Sequence, residues 1–309
     1  MKLINPSVEI WKPAQTNSIV DCLKHIERCG RICYKSEDKI TNDSYKKFLD
    51  MLLRNEHRSV LEHGTGYFTF PVGSPVYDLK YLKKMDITTF FKNNPYSTVN
   101  ERTYTTVREA PGEFKEFVEE NGATTVYYVT TNARVVAEKD LEDKDAKIPF
   151  SDVIRPYFSN VPHKEHTERL TVHFTVDRGI SHEFVRHRVF SFSQESTRYC
   201  NYSKGKFGGE LTFINPSWMI NKIDETGGDY LFIGALEAVE EDYMRLLEDG
   251  WQPQQARQIL PNALKTELIM TGTVPQWKAF FDLRCKGAHP DAMYIANKLK
   301  EQFINYYTE

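Results

Sequence analysis

Apolar residues recur at helical spacing in several stretches of the chain. In residues 16–30, Ile19, Cys22 and Ile26 fall on one helical face, and Gly30 is placed to end the helix. The same kind of spacing predicts further helices over residues 43–54, 228–249, 254–260, 276–284 and 290–307.

Other stretches have the pattern of β-strands. Residues 170–176 alternate apolar and polar side chains, which is typical of a half-buried strand, and Asp177 is placed to cap a helix that runs to Arg188. Residues 124–131 are dense in β-branched and aromatic side chains, and an aromatic run that opens at Tyr67 predicts a third strand. Helices and strands are mixed along the chain, so the predicted fold class is α+β, with a mixed sheet and flanking helices.

The middle of the chain differs in composition from its two ends. Prolines punctuate residues 71–168, and the charged run at 138–147 predicts a solvated loop. We therefore expect a large, mainly-β and loop insertion of unknown role, with the catalytic domain formed by residues 1–70 and 169–309. Few core contacts should cross such a boundary, so deletion of residues 76–150 is expected to leave a soluble protein. The sequence shows no internal repeat.

Composition and charge narrow the class of protein. The chain has 309 residues, of which 40% are hydrophobic and 27% charged, and this excludes wholesale disorder. It has neither the roughly 20-residue apolar stretch of a membrane helix nor the apolar core of a signal peptide. Its five cysteines are odd in number and scattered, which is typical of a reducing compartment. We expect a cytoplasmic protein without membrane contact.

The densest polar stretch covers residues 186–203. Three arginines and one histidine fall within 13 residues there, and they repel one another unless an anion lies among them. A phosphorylated small molecule is the natural ligand. A solvated basic surface is the plain alternative, but Val189, Phe190 and Phe192 interleave the polar residues and favour a folded segment. Binding of RNA, with arginines on phosphates and aromatic rings on bases, also stays open, although a net charge of −3 weighs against it.

Known cofactor motifs are approached but not met. His182, Glu183 and His187 resemble a zinc-protease helix, but Arg186 stands where the second histidine is needed. The cysteines lack zinc-ribbon spacing, and no glycine-rich dinucleotide or phosphate loop is present in the sequence. We expect no metal site, and any bound dinucleotide would occupy a site unlike the Rossmann type.

Four sequence blocks carry a resemblance to a known family. The run RHRVFSFSQESTRY at 186–199 has RHR, seven residues and then Ser196, and it resembles the extended signature of the flavin-dependent thymidylate synthases (ThyX family). The other three blocks agree in order, and 26 residues separate the arginines of the last two, as in the family. They are HRSVLEH at 57–63, ARQILP at 256–261 and FFDLRCKGAH at 280–289.

The resemblance implies reductive methylation of dUMP to dTMP, with FAD as cofactor and with NADPH and 5,10-methylenetetrahydrofolate as co-substrates. It also implies a homotetramer that binds small molecules and no nucleic acid. The flavin contacts carried over are His57, Ser59, Glu62, Arg186, His187, Arg188, Gln194 and His289. The dUMP contacts carried over are Glu183, Arg186, Gln194, Glu195, Ser196, Thr197, Arg198, Arg257 and Arg284.

Two of these residues are expected at the reacting centre. By the resemblance, Arg284 lies at the uracil ring and favours its N3-deprotonated form, since a fixed guanidinium stabilises negative charge in a low-dielectric pocket. Ser196 has the motif position of a nucleophile, but the sequence shows no His–Asp partner for it, so we assign it a binding role. Cys200 and Cys285 adjoin key arginines, and small buried thiols are favoured over nucleophiles.

The chain departs from the family pattern at several positions. Glu183 stands where many members have Gln, and a carboxylate there needs a donor such as an arginine or a ring N–H. Thr273 and Pro275 replace an Asn and an Arg that contact the flavin adenine, and four residues instead of three separate Arg284 from His289. TTNARV at 130–135 could supply a substitute Asn/Arg pair, but a plain strand is favoured. A flavin-binding relative without turnover is therefore a further alternative.

Overall fold

The computed structural model describes residues 1–12, 18–72, 87–142, 148–205, 208–220 and 227–304. Helices and strands are mixed along the chain, which confirms the α+β class. Among the residues described, no helix is long and apolar enough to cross a membrane.

The elements alternate throughout the chain. The strands are β1 Lys2–Ile4, β2 Ser7–Trp11, β3 Thr65–Pro71, β4 Thr98–Tyr104, β5 Thr124–Asn132, β6 Phe158–Ser159, β7 Arg169–Asp177, β8 Ser191–Gln194, β9 Thr212–Ile214 and β10 Lys265–Thr273. The helices are α1 Ile19–Tyr34, α2 Ser44–Arg54, α3 Ile87–Lys92, α4 Lys115–Asn121, α5 Ala133–Glu142, α6 Phe150–Ile154, α7 Arg178–Phe184, α8 Gly227–Glu248, α9 Pro253–Ala256, α10 Val274–Arg284 and α11 Pro290–Gln302. Residues Arg58–His63 and Arg257–Ile259 form 3₁₀ helices.

The chain folds into two compact units. Helix α1 contributes residues to both, with the change of unit between Glu27 and Arg28. Unit 1 comprises Met1–Lys12, Arg28–Thr41 and Leu170–Glu309, and unit 2 comprises Pro13–Glu27 and Asn42–Arg169.

Unit 1 is built on a four-stranded sheet with the order β2-β7-β10-β8. Strand β7 directs Leu170, Val172, Phe174 and Val176 into one core with α10 and α11, as its alternation predicted. Trp277 of α10 is fully buried in this core, and its indole N–H donates to the Leu170 carbonyl at 3.1 Å. The sheet and α10 together give the site residues a rigid support.

Unit 2 has its own sheet, in the order β4-β5-β3-β6. Strand β5, predicted at 124–131, is covered on both faces: Val129 packs in a cluster with Phe68 and Phe91, and Val126 in a second cluster with Tyr104. Residues 71–168 therefore contain more helix and more core than a mainly-β and loop module, because each face of β5 needs apolar cover. That they form a separable insertion stays a prediction.

Three strands of each sheet lie in a corresponding order. In each, a nine-residue strand (β5 or β10) pairs with an antiparallel edge strand (β4 or β8) on one side and neighbours β3 or β7 on the other. A further strand, β6 or β2, then runs antiparallel to β3 or β7. The fourth strand differs in its place along the chain, since β6 follows the other three strands of its sheet and β2 precedes the other three of its own. That the sequence holds no internal repeat stays a prediction.

Several predicted element boundaries shift. Helix α1 does not end at Gly30, because Cys29 and Ile32 are buried against Trp11 and Ile269 and this packing carries the helix on to Tyr34. The predicted start of α1 at residues 16–17 lies outside the described residues.

The charged run predicted as a loop is helical over its first five residues, 138–142, which end α5, while 143–147 lie outside the described residues. TTNARV is not a plain strand, since β5 ends at Asn132 and α5 begins at the next residue. Asn132 Oδ1 accepts hydrogen bonds from the N–H groups of Arg134 and Val135, which starts the helix there.

Candidate active site

The predicted site residues divide between the two units. Most of them lie in unit 1, on or next to α7, β8 and α10, while three predicted flavin contacts lie in unit 2. These three are His57, Ser59 and Glu62.

Helix α7 and the turn after it present the RHR triplet. Asp177 caps the helix as predicted, since its side chain accepts from the Ile180 N–H at 2.9 Å. The helix ends at Phe184, earlier than expected, and the triplet follows in turns closed by the His187 N–H donating to the Phe184 carbonyl at 3.1 Å. Arg186 and Arg188 are exposed, whereas the His187 ring is half-buried against Phe280. The turns thus separate two solvent-facing guanidinium groups from one inward imidazole.

Arg284, at the end of α10, is held by three hydrogen bonds. Its Nε donates to His187 Nε2 at 2.9 Å, its Nη1 to Glu183 Oε2 at 2.6 Å, and its Nη2 to the Glu183 carbonyl at 2.8 Å. Burial, with the positive charges of Arg284 and Arg186, lowers the pKa of His187 to about 4. His187 is therefore neutral at pH 7. Arginine is the donor that the Glu183 carboxylate was expected to need.

Hydrogen bonds hold the first and last residues of the segment QEST (194–197), which are Gln194 and Thr197. The Gln194 amide donates to Ser181 Oγ at 2.8 Å and to Thr266 Oγ1 at 3.2 Å. The Arg257 guanidinium donates to Thr197 Oγ1 at 3.3 Å. These bonds bring α7, the segment after β8 and the 3₁₀ helix of Arg257 into one cluster within unit 1.

Ser196 lies on an ordered backbone but has no base beside it. Its N–H donates to the Cys33 carbonyl at 3.2 Å, and its hydroxyl accepts from the Arg198 N–H at 3.3 Å. In the part of the chain that the structure describes, no histidine or carboxylate is hydrogen-bonded to this hydroxyl. The geometry favours the binding role assigned to Ser196, which stays a prediction.

Charged residues that sequence reasoning missed lie next to Glu195. Lys265 Nζ bridges Glu195 at 2.8 Å and Glu267 at 2.7 Å. Glu267 also pairs with Lys35 at 2.5 Å and accepts from His173 Nε2 at 2.9 Å. The signal in the sequence is the pair of charges two residues apart in an otherwise uncharged strand.

The surroundings of Glu267 favour its ionised form. Burial alone would raise the pKa of the Glu267 carboxyl, but the hydrogen bond from His173 and the charges of Lys265 and Lys35 outweigh it. The pKa of Glu267 is therefore held well below its usual range. Tyr202 completes the cluster by donating to Glu195 Oε1 at 3.1 Å. A rigid charged cluster thus fixes Glu195, the residue before Ser196.

The thiols fit the favoured interpretation. Cys200 is buried, and Cys285 is half-buried with its pKa raised by desolvation. A raised pKa lowers the thiolate fraction at neutral pH. The raised pKa of Cys285 therefore argues against an activated nucleophile there.

In unit 2, Glu62 is committed to an ion pair. Its Oε1 accepts from Arg134 Nη1 at 2.7 Å, and Arg134 Nε donates to Glu138 at 2.7 Å. His57 and Ser59 are exposed. Because Arg134 already pairs with two carboxylates, its role as a substitute flavin contact stays a prediction.

Thr273 and His289 act as helix caps. Thr273 Oγ1 accepts from the Gln276 N–H at 3.3 Å at the start of α10, and Pro275 lies in the first turn, where proline is tolerated. His289 Nδ1 accepts from the Asp291 N–H at 3.3 Å at the start of α11. Two departures from the family pattern, Thr273 and Pro275, therefore lie at the start of α10, where both residue types are favourable.

Comparison with known proteins points to one family. A 33% identical region of 111 residues matches the flavin-dependent thymidylate synthase of Geobacter sulfurreducens, covering 36% of this chain and 44% of that protein. The flavin-dependent thymidylate synthase of Sulfurisphaera tokodaii is 28% identical over 167 residues, covering 53% of this chain and 60% of that protein. The chain thus spans about half the length of these curated relatives.

Solved structures show weaker similarity. The UMP/dUMP methylase PolB from Streptomyces cacaoi bound with 5-Br dUMP gives a TM-score of 0.40 at 16% identity, covering 99% of this chain and 93% of that one. ThyX from Helicobacter pylori with FAD and dUMP gives 0.34 at 19% identity, covering 43% and 66%.

A sequence model of one family matches most of the chain. The match runs over residues 123–307, which include α7, β8, β10 and α10 and therefore every site residue of unit 1. The chain belongs to the family of thymidylate synthase complementing proteins (Thy1), and its resemblance to the flavin-dependent thymidylate synthases is confirmed.

Proposed function

We propose that the chain catalyses the reductive methylation of dUMP to dTMP, with FAD as cofactor and with NADPH and 5,10-methylenetetrahydrofolate as co-substrates. One observation carries the proposal: Arg284 is held at α7, next to the RHR turn, by Glu183 and His187. An arginine fixed in this way can stabilise negative charge that develops on a pyrimidine ring. Family membership and the motif order support the same reaction.

Different residues of unit 1 contact different parts of the substrate dUMP. Arg284 takes the uracil ring and makes C5 nucleophilic by favouring the N3-deprotonated form. Arg198 is exposed, so it can turn toward a phosphate, and Arg257 is half-buried and can offer the N–H groups that its bond to Thr197 leaves unused. Gln194, Glu195, Ser196 and Thr197 form the segment that lines the nucleotide, and the bonds of Gln194 and Thr197 hold that segment in place.

The donor set fits the proposed cofactor. Arg186 and Arg188 are exposed, and neither forms an ion pair with an acidic residue within the described ranges, so both are available to a pyrophosphate. His187, Gln194 and His289 complete the unit 1 contacts that the resemblance assigns. FAD would supply the hydride transfer between NADPH and the methylene group.

Assembly is part of the proposal. The resemblance implies a cytoplasmic homotetramer whose flavin site is built by more than one subunit. We expect the purified protein to be yellow and to lose FAD when it dissociates. Flavin absorbance and molecular mass across a dilution series test this, and a monomer that keeps stoichiometric FAD would contradict it.

Tritium release from dUMP labelled at C5 tests the reaction, because methylation replaces the C5 hydrogen. Release should require FAD, NADPH and methylenetetrahydrofolate together. Arg284→Ala should lower turnover about a hundredfold or more, which corresponds to ~3 kcal/mol, while FAD stays bound. Arg284→Lys should recover only part of the loss, since a point charge cannot replace the planar fork.

A matched arginine serves as control. Arg102 lies on β4 of unit 2 in an exposed pair with Glu165, so Arg102→Ala should leave turnover unchanged. An Arg284→Ala variant within threefold of the wild type would remove Arg284 from the mechanism. Wild-type protein that binds FAD but releases no tritium would instead identify a flavin-binding relative without this activity, and protein that binds RNA but no flavin would support the nucleic-acid alternative.

A further inference from the structure

The guanidinium of Arg284 is bonded at all three of its nitrogen atoms by groups of this chain. The partners are the His187 ring, the Glu183 carboxylate and the Glu183 carbonyl. The Arg284 side chain is only 15% exposed. Three bonds to one planar group fix both its position and its plane, so Arg284 cannot turn as a surface arginine does.

The number of N–H groups limits what Arg284 can offer to a ligand. A guanidinium has five N–H groups, and three of them are used here. One N–H remains on each terminal nitrogen. Two adjacent N–H groups match two neighbouring acceptors on a pyrimidine ring, such as a carbonyl oxygen and a deprotonated ring nitrogen.

His187 can accept from Arg284 only in one protonation state. Because the Arg284 Nε–H is the donor, His187 Nε2 carries no proton, and the ring proton lies on Nδ1. A protonated His187 would place two cations face to face. The bond therefore fixes the tautomer of His187 as well as the position of Arg284.

We infer that Glu183 is a positioning residue for Arg284: it holds the guanidinium from two sides, leaving one N–H on each terminal nitrogen for the pyrimidine ring. This inference rests on the proposed function and deepens it. It also replaces the direct nucleotide contact expected for Glu183, because Oε2 of its carboxylate is already engaged by Arg284 at 2.6 Å. Glu183 acts on the substrate through Arg284.

A double-mutant cycle tests whether Glu183 acts through Arg284. In the FAD-loaded full chain, Glu183→Ala should lower kcat about tenfold or more with a smaller change in KM, since a misplaced guanidinium weakens the transition state more than binding. In the Arg284→Ala background the same substitution should not lower kcat further. Additive losses in the two backgrounds, or a loss confined to KM, would overturn the proposal.

A conservative variant distinguishes a loss of hydrogen-bond geometry at Glu183 from a general loss of folding. Glu183→Gln keeps a carbonyl acceptor of the same shape for Nη1, so it should restore kcat to within about threefold of the wild type. Glu301 on α11 is exposed and lies outside the site, so Glu301→Ala should change neither kcat nor KM. A Glu183→Gln variant as impaired as Glu183→Ala would contradict a role through hydrogen-bond geometry.

Nitrogen-15 NMR of labelled histidine gives a measurement that does not depend on turnover. The His187 signal, assigned by its loss in His187→Gln, should show the neutral Nδ1–H tautomer at pH 7, and Arg284→Ala should abolish that preference. If the wild type releases no tritium, the proposed function fails, and this signal alone decides the anchoring of Arg284. An unchanged tautomer in Arg284→Ala would overturn it.

Discussion

The two sheets carry opposite kinds of residue on one equivalent face. In β5 the first and third positions are Thr124 and Val126, and both are buried, with Val126 in a cluster that contains Tyr104. In β10 the same two positions are Lys265 and Glu267, which belong to the charged cluster around Glu195. Strands with corresponding neighbours therefore carry uncharged residues in unit 2 and charged residues in unit 1.

The difference shows that a corresponding arrangement of three strands forms without charges at these two positions. Taking charged groups out of water costs free energy, and apolar replacements of similar volume are often equally stable. Unit 2 has Thr124 and Val126 at the matching positions of its own nine-residue strand. In unit 1 the charged face fixes Glu195, the residue before Ser196.

The largest expected effect comes from removing most of unit 2. Deletion of residues 76–150 takes away β5, which pairs with β3 along Thr65–Pro71, and leaves Phe68 and Phe70 without Phe91, Val129 and Phe150. We expect the deleted chain to aggregate, contrary to the expectation from proline punctuation. Sedimentation and soluble yield beside the intact chain measure this. A soluble, monodisperse deletion protein would show that unit 2 is dispensable for folding.

The second expected effect concerns the charged face. Glu267→Val copies the residue of unit 2 but leaves Lys35, Lys265 and His173 without their shared carboxylate. We expect the free energy of unfolding to fall by about 3–5 kcal/mol. Urea unfolding measures this, with exposed Glu301→Ala as the control. A loss below ~1 kcal/mol would mean that the pairs contribute little to unit 1.

The smallest expected effect is a dependence on pH in unit 2. Burial is the main cause that lowers the pKa of His166 to about 4, and its Nε2–H donates to the Phe68 carbonyl at 3.1 Å. Since the unfolded pKa is near 6.5, neutral His166 contributes full stability above pH 6.5, and this contribution is lost as pH falls toward 4.

Urea midpoints at pH 7 and pH 5 test this linkage. The difference between the two midpoints should shrink in His166→Gln, whereas His182→Gln, at an exposed position, should leave it unchanged. An equal difference in the wild type and His166→Gln would show that His166 does not titrate in this range.

The sequence predicted the features that depend on local rules. The alternation of β7 and the Asp177 cap follow from side-chain periodicity and capping chemistry, and both are confirmed. The motif around RHR predicted the family, because its spacing is specific. Gly30 shows where a local rule is wrong, since burial of Cys29 and Ile32 outweighs the helix-ending tendency of glycine.

The remaining features depend on contacts between distant residues. Arg284 and Glu183 are 101 positions apart, and Lys35 and Glu267 are 232 apart, so no local pattern links them. The residues of the charged cluster lie on β7 and β10 and directly after α1 and β8, and only the packing of these segments brings them together.

Hydrogen–deuterium exchange of the FAD-loaded chain with and without dUMP tests the central claim most directly, because it measures both units in one experiment. We expect the nucleotide to be bound by unit 1 and not by the sheet of unit 2. Adding dUMP should slow exchange in peptides that cover residues 183–198 and those around Arg257 and Arg284. Exchange over residues 98–132 should not change. Protection confined to residues 98–132, or no protection over 183–198, would contradict the account.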